Sequence, residues 1–418
     1  MKQLRLVALA LASTALAGLL RAADEERRAP PIEIPDFSNL DEYIYEPRST
    51  LTFGFRYLGG AKTSFSGRGS LPSPENPGAA KGANLQRIYH DGAVQPDART
   101  ASRLDTSGNP IIDPSTNNAI VDPIAPDGRT NSWNYTDASQ LTNYPGYVAF
   151  HSYSAVIDDS AIRQKKSESS SGMDIAASRD MGKLFGRLPW TLTAGVSIND
   201  LSANTTDKVR ANLTTITDVY SLFGQTPPDA PYTSPSSSTT TVVDASGNPL
   251  LNDDGTSRTV TTDTSVLIGN EPAARFTGTA LDNSSVTNHW KLRGAYYTFR
   301  AGPTVMLPVS SRLKATVSLG AAMVYSGSTY TVTQTFTPSA GADISDTSTS
   351  NAYKILPGYY ADATVQFDLT ERTGFYAGAV LQSAGSYTQA VDTTNAHYTT
   401  KIDLANQHGI RAGMSYRF

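Results

Sequence analysis

Residues 409–418 read GIRAGMSYRF, and the parity of this stretch decides how the rest of the chain is read. Ile410, Ala412, Met414, Tyr416 and Phe418 share one face of a period-two strand, while Arg411, Gly413, Ser415 and Arg417 share the other. A strand with one apolar face must cover it, and a sequence that stops on an aromatic residue offers no polar tail. The cover is then protein or lipid, and the remaining sequence has to discriminate between them.

The composition is β-rich: 39% of the 418 residues are hydrophobic, only 17% are charged, and Thr, Ser, Gly, Asn and Tyr are abundant. With no cysteine, disulfides, thiolate metal sites and a lipid-modified N-terminal Cys are excluded. The formal net charge of -4 supplies no electrostatic reason to expect a nucleic-acid partner. Residues 1–23 read as a secretory signal peptide: Lys2 and Arg5 precede an apolar run from Leu6 to Leu20, and small Ala22 and Ala23 follow. That run is short of the ~20 residues a spanning helix needs, and no later segment has such a profile. Any membrane role must therefore use strands. Residues 24–48, with Pro30, Pro31, Pro35 and Pro47 among charges, read as a short periplasmic lead-in to the unit 49–418.

Working back from the C-terminus, the alternation recurs. Leu313, Ala315, Val317, Leu319, Ala321, Met323 and Tyr325 oppose Lys314, Thr316, Ser318, Gly320, Ala322, Val324 and Ser326. The same pattern predicts eight strands at about 50–58, 172–184, 190–201, 292–308, 312–326, 353–369, 373–385 and 407–418. Arg179 falls on the apolar face of the second, which implies a bulge or a shifted register there. Three connections are short turns. The other four, at about 59–171, 202–291, 327–352 and 386–406, are long, and up-and-down order puts all four on one side. Trp190, Phe367, Phe375, Tyr416 and Phe418 would mark one rim of an apolar belt, and Trp290, Tyr297, Tyr325, Tyr353 and Tyr387 the other. A soluble β-sandwich alternates too, but explains neither the terminal aromatic nor the one-sided loops.

On the signal peptide, the dispersed strands and the closing RAGMSYRF, the chain resembles Gram-negative outer-membrane β-barrel proteins, similar in plan to the small eight-stranded barrels. The resemblance implies an all-β, antiparallel, up-and-down transmembrane barrel in the outer membrane, contacting its lipid and lipopolysaccharide. Eight strands are expected, with ten or twelve if 147–157, 209–223 or about 258–268 also span. It also implies that Ile410, Ala412, Met414, Tyr416 and Phe418 are read by the barrel-assembly machinery. The first two outer loops are far longer than a minimal barrel requires.

The inward parity carries Arg56, Arg300, Lys314, Asp362, Asp368, Arg411 and Arg417, which an eight-stranded lumen would pack as an ionic plug. Pairing the first strand with the last brings Arg56 near Arg411, and each then needs an acid or water. The long loops share an echo, DTSGNPIID at 105–113 and DASGNPLLND at 244–253, which is turn chemistry and predicts hairpins above the membrane. Calcium binding through Asp244, Asp253 and Asp254 is the functional alternative there, but the alternating ligand series and bidentate Glu are missing. Five histidines, at 90, 151, 289, 397 and 408, invite a search for a hydrolase. FHSYS sets His151 beside Ser152 and Ser154, yet strand neighbours point to opposite faces, and no Gly-x-Ser-x-Gly, His-Glu-x-x-His or phosphate loop occurs. His151 reads as an ordinary loop or rim residue. The expectation is a non-enzymatic barrel without cofactors, with a structural or interaction role carried by loops that meet an unidentified extracellular ligand. The runner-up is a passive channel for small, anionic solutes, and a loop-borne hydrolase stands third.

Overall fold

Alternating apolar and small side chains extend into strands, and eight of these hydrogen-bond in a ring. The computed structural model describes residues 48–72, 86–95, 101–122, 127–159, 161–166, 169–339 and 342–418. The expected signal peptide, and the expected lead-in except Arg48, lie outside them. The ring consists of β1 (Ser49–Gly59), β2 (Ser170–Leu184), β3 (Leu188–Lys208), β4 (Val286–Pro308), β5 (Leu313–Phe336), β6 (Ile344–Asp368), β7 (Thr373–Ala384) and β8 (Gln407–Arg417). Each pairs antiparallel with the next, and β1 pairs with β8, so the path returns to its start. Ser49 and Phe418 exchange backbone hydrogen bonds of 3.1 and 3.0 Å at the seam. Arg56 stands opposite Arg411 in that pairing. The expected irregularity near Arg179 appears as a register shift between Asp180 and Lys183.

The outward face answers the question the closing strand raised. Ile410, Met414, Tyr416 and Phe418 are 64%, 54%, 44% and 42% exposed, so no protein covers them. Phe53, Phe55, Tyr57, Met173, Leu192, Val317, Leu319, Tyr359, Val365, Phe375 and Leu381 continue the exposed belt around the ring. Along β6 it runs from Phe367 to Ile355, about 30 Å along the barrel axis at ~3.4 Å per residue and a tilt of about 40°. Rings of Tyr297, Tyr325 and Tyr353 on three adjacent strands lie 6.5 and 6.4 Å apart at its upper edge. Above that row the outward face turns polar, with hydroxyl ladders Thr331–Thr349 (3.1 Å) and Thr333–Thr347 (3.0 Å).

Four strands do not stop at the belt. β3, β4, β5 and β6 have 21, 23, 24 and 25 residues, against 11 for β1 and 11 for β8. The connections expected at 202–291 and 327–352 are therefore largely strand. A search for an apolar outward face did not show this, because above the belt the outward positions become Thr and Ser while the apolar ones, such as Leu292, Tyr330 and Val332, turn inward. A second sheet packs on the extensions, in the order Ala274–Asp282, Ala211–Ser221, Tyr147–Ile157, Lys62–Leu71, Ala396–Asp403 and Ser386–Asp392. The segments weighed as extra spanning strands at 147–157 and 209–223 belong to this sheet, outside the ring. Between the sheets Phe65 stacks on Trp290 and Tyr330 at 6.3 and 5.9 Å, inside an apolar core with Leu292, Val332, Tyr398 and Ile402.

Trp290 thus corrects an expectation: it is 1% exposed and lies in that core, away from the outer aromatic rim. Even-numbered residues of β4 face inward, as Tyr296 and Leu292 do, and the strand continues past the belt with its parity intact. Tyr387, expected on the same rim, is also buried and bonds Ser326 and Ser328.

Inside the ring, side chains fill the section. Arg300 donates to Asp174 at 2.8 Å, and Arg411 bridges Asp174 (3.3 Å) and Asp362 (3.0 Å). Arg56 bonds Ser197 and, at 2.9 Å, Gln382. Lower down, Asp368 holds Lys314 at 2.6 Å and Arg417 at 3.5 Å. Tyr376 presses on Gly54, where a Cβ would meet its hydroxyl at 2.4 Å, so only glycine lets this ring lie across the lumen. Refolded protein in a planar bilayer is expected to show no steady conductance. Steady openings whose anion preference disappears on replacing Arg300 and Arg411 together would refute the plug.

Candidate active site

At one end of the second sheet a small tip, built on its strands Tyr147–Ile157 and Ala211–Ser221 and a separate small sheet, collects the residues that chemistry could use. Arg87–Tyr89 and Gly92–Val94 form a hairpin whose two-residue turn is His90–Asp91, and it pairs with Trp133–Tyr135. Gly92 has a φ of +156°, and a Cβ there would meet the carbonyl of Asn134 at 2.2 Å, so the turn can close only on glycine. Tyr89, Phe150 and Tyr220 pack face and edge at 5.1 and 5.4 Å, in a cluster with Val94, Trp133 and Val148.

That hairpin brings Asp91 to His151. Asp91 is fully buried, its Oδ2 lies 2.6 Å from His151 Nδ1, and its Oδ1 accepts the His151 backbone N–H at 2.7 Å. The His151 side chain remains 22% exposed. With Nδ1 donating to the carboxylate, the ring takes the tautomer whose unprotonated Nε2 can accept a proton. Tyr153 N–H donates to His90 Nδ1 at 3.0 Å, and both imidazoles border the Tyr153 ring, at 5.5 and 6.0 Å. Burial, with the Asp91 charge second, raises the Tyr153 phenol above its ordinary range. Tyr153 is therefore a neutral wall to the site.

A second polar group anchors the hairpin. Asp218, fully buried, accepts two hydrogen bonds from Arg275, at 2.6 and 2.7 Å, and one from the Tyr89 hydroxyl at 2.5 Å. Tyr89 and Tyr220 share a further bond of 2.8 Å. Burial pushes the Tyr220 phenol up to about 12. A folded-state value above the unfolded one means the linked stability is whole below pH ~10 and is lost as pH rises through ~12. The tip is expected to loosen reversibly in that window. Absorbance at 295 nm should show buried tyrosinate appearing together with the change in fold, and titration of every tyrosine near 10 would refute it.

Of the residues singled out by sequence, His151 enters this site; Ser152, on the adjacent parity, is buried at 1% exposure. The partner that mattered, Asp91, was missed. It lies 60 positions away in a turn, where no periodicity marks it. His289 bonds Thr206 at 2.6 Å and His397 bonds Asp392 at 2.5 Å, both on exposed surface. The lumen residues Arg56, Arg300, Lys314, Asp362, Asp368, Arg411 and Arg417 lie inside the ring, apart from this site: Arg300 and Arg411 share Asp174, which the sequence reading did not name, Arg411 also reaches Asp362, and Lys314 and Arg417 share Asp368. The candidate calcium ligands serve turns: Asp244 caps the N–H groups of Ser246 and Asn248, as Asp105 does for Ser107 and Asn109 in the echoing turn. Asp254 likewise accepts from Thr256. Among the described residues no three His, Cys, Asp or Glu side chains converge as a metal site.

No protein-family model and no curated protein matches the chain. Solved structures do, at great distance. The outer membrane protease OmpT of Escherichia coli aligns over 89% of this chain and 97% of its own, with 9% identity and a TM-score of 0.28. A FadL homologue of Pseudomonas aeruginosa aligns over 89% and 90%, with 8% identity and a TM-score of 0.18. The toluene transporter TodX of P. putida follows at 9% identity and 0.15. These findings correct the expected non-enzymatic, structural or interaction role: the matched proteins include a protease and a toluene transporter. At such scores the likeness carries no argument for either activity, so the choice rests on this chain's own geometry. That geometry is an all-β, antiparallel protein with a filled ring below and an oriented imidazole above.

Proposed function

We propose that the protein is an outer-membrane barrel whose sealed ring anchors a surface hydrolase, with His151 as general base and Asp91 as the group that orients it. The eight ring strands are the whole membrane-spanning part, and the tip faces the cell exterior. The belt of about 30 Å, its aromatic upper row and the polar surface beyond support the span. The outward row Ile410, Ala412, Met414, Tyr416 and Phe418 is what the barrel-assembly machinery would meet.

The observation that carries the chemistry is the 2.6 Å contact between a buried carboxylate and a partly exposed imidazole. In that arrangement Asp91 sets the tautomer and stabilises the imidazolium that forms when Nε2 takes a proton from an attacking water. The filled lumen disfavours the channel. The test is hydrolysis of a panel of peptide and ester substrates by refolded protein across pH 5–9. Turnover that rises as an imidazole loses its proton is expected. No turnover on any substrate, or turnover without that titration, overturns the reading.

A further inference from the structure

We infer that the barrel lumen binds one small monovalent anion, of halide size, among Arg56, Arg300 and Arg411. The first support is charge. The cluster holds these three guanidiniums and two carboxylates, Asp174 and Asp362, among the described residues. Arg56 lies within electrostatic reach of Asp174, Arg300 and Arg411, yet its hydrogen bonds go only to the neutral Ser197 and Gln382. A guanidinium does not shed its proton, so the cluster carries one positive charge too many, inside a ring wrapped by an apolar belt.

The second support is the balance of hydrogen-bond donors. Arg56 Nε, Arg300 Nε and Nη1, Arg411 Nε, Asn199 Nδ2 and the hydroxyls of Tyr360 and Tyr376 are buried and without a protein partner. The unmatched acceptors there are fewer: Asp174 Oδ1, Asn199 Oδ1 and the oxygens of the same two hydroxyls, against three guanidinium side chains that only donate. Arg56, Arg300 and Asn199 are 2%, 4% and 1% exposed, so bulk water does not reach them. Internal water brings as many donors as acceptors and no charge, and therefore corrects neither imbalance. A halide only accepts, takes several N–H and O–H donors at once, and neutralises the excess. The rings of Tyr360 and Tyr376 lie under the guanidiniums of Arg300 and Arg411 at 5.5 and 5.3 Å, so both belong to the same cluster. The anion is then a fixed part of the plug, held against the barrel wall.

Two measurements on the full refolded protein test this. In crystals grown with sodium bromide in place of chloride, anomalous scattering should place bromide within hydrogen-bond reach of Arg56 or Arg300; only water there overturns the proposal. In detergent, thermal unfolding should shift downward when chloride is replaced by isethionate at equal ionic strength. Chloride at 100 times its Kd multiplies the folded-to-unfolded ratio by about 100. Arg56→Gln should abolish that dependence, and an equal dependence in both proteins overturns the site. Should the variant fail to refold, the bromide position in the wild type decides alone.

Discussion

Replacing His151 with Ala is expected to lower kcat/KM by roughly 10²–10⁴-fold, the usual contribution of a positioned general base. Asp91→Asn should fall in the same range for a different reason. Asn keeps an oxygen for the His151 backbone N–H, now 2.7 Å from Asp91 Oδ1, so the turn is preserved. Its amide removes the charge that stabilises the imidazolium, and its NH2 group would hold the other tautomer, with the proton on Nε2. A fold defect and a chemical defect are thus separable: unchanged thermal unfolding with lost turnover marks the dyad as catalytic. The exposed pair His397–Asp392 provides the control. Its side chains are 51% and 76% exposed, so solvent screens it, and His397→Ala should leave turnover within a factor of two. Equal losses in His151→Ala and His397→Ala would sink the assignment.

Replacing Asp174 with Ala is expected to destabilise the barrel by ~3–5 kcal/mol, the range for leaving a buried ionic partner uncompensated. Asp174 is fully exposed to neither end of the ring: its carboxylate is buried and accepts from both Arg300 and Arg411. Its loss leaves three guanidiniums facing one carboxylate, Asp362. Asp368→Ala, by contrast, removes a partner of Lys314 and Arg417 near the lower rim, where its side chain is 13% exposed and water can substitute. Its effect should be the smaller of the two, because the Lys314 and Arg417 side chains it leaves behind are 16% and 22% exposed and can be hydrated. Equilibrium urea unfolding in lipid vesicles reads both. Similar midpoints for the two variants would show that the lumen is hydrated throughout and that no packed plug exists.

Much of the fold was legible because a strand between lipid and a filled lumen writes its environment at a period of two. Apolar side chains on one parity and Gly, Thr, Ser or charge on the other located all eight ring strands within a few residues at the belt. The signal reversed above it, where β3–β6 continue as one wall of a sandwich: the outward parity becomes Thr and other polar residues, and apolar side chains such as Leu292, Tyr330, Val332 and Phe336 move to the inward one. There Trp290 and Tyr330 are buried by a sheet drawn from distant segments, whose packing has no local signature. Trp290 shows that parity, carried past the belt, was the better guide than residue type: an even position on β4 faces inward whatever its side chain.

The sequence by itself determined which side chains face out of the ring and which face in, because each strand's pleat sets that choice locally. Ile410 to Phe418 stand exposed and Arg411 stands inside for this reason alone. Only the tertiary structure decided which inward and loop residues meet. Arg300 reaches Asp174 across 126 positions and His151 reaches Asp91 across 60, contacts set by ring register and by the docking of a tip hairpin. Electrostatics then act over a few ångströms in space, a distance that spacing along a chain does not encode.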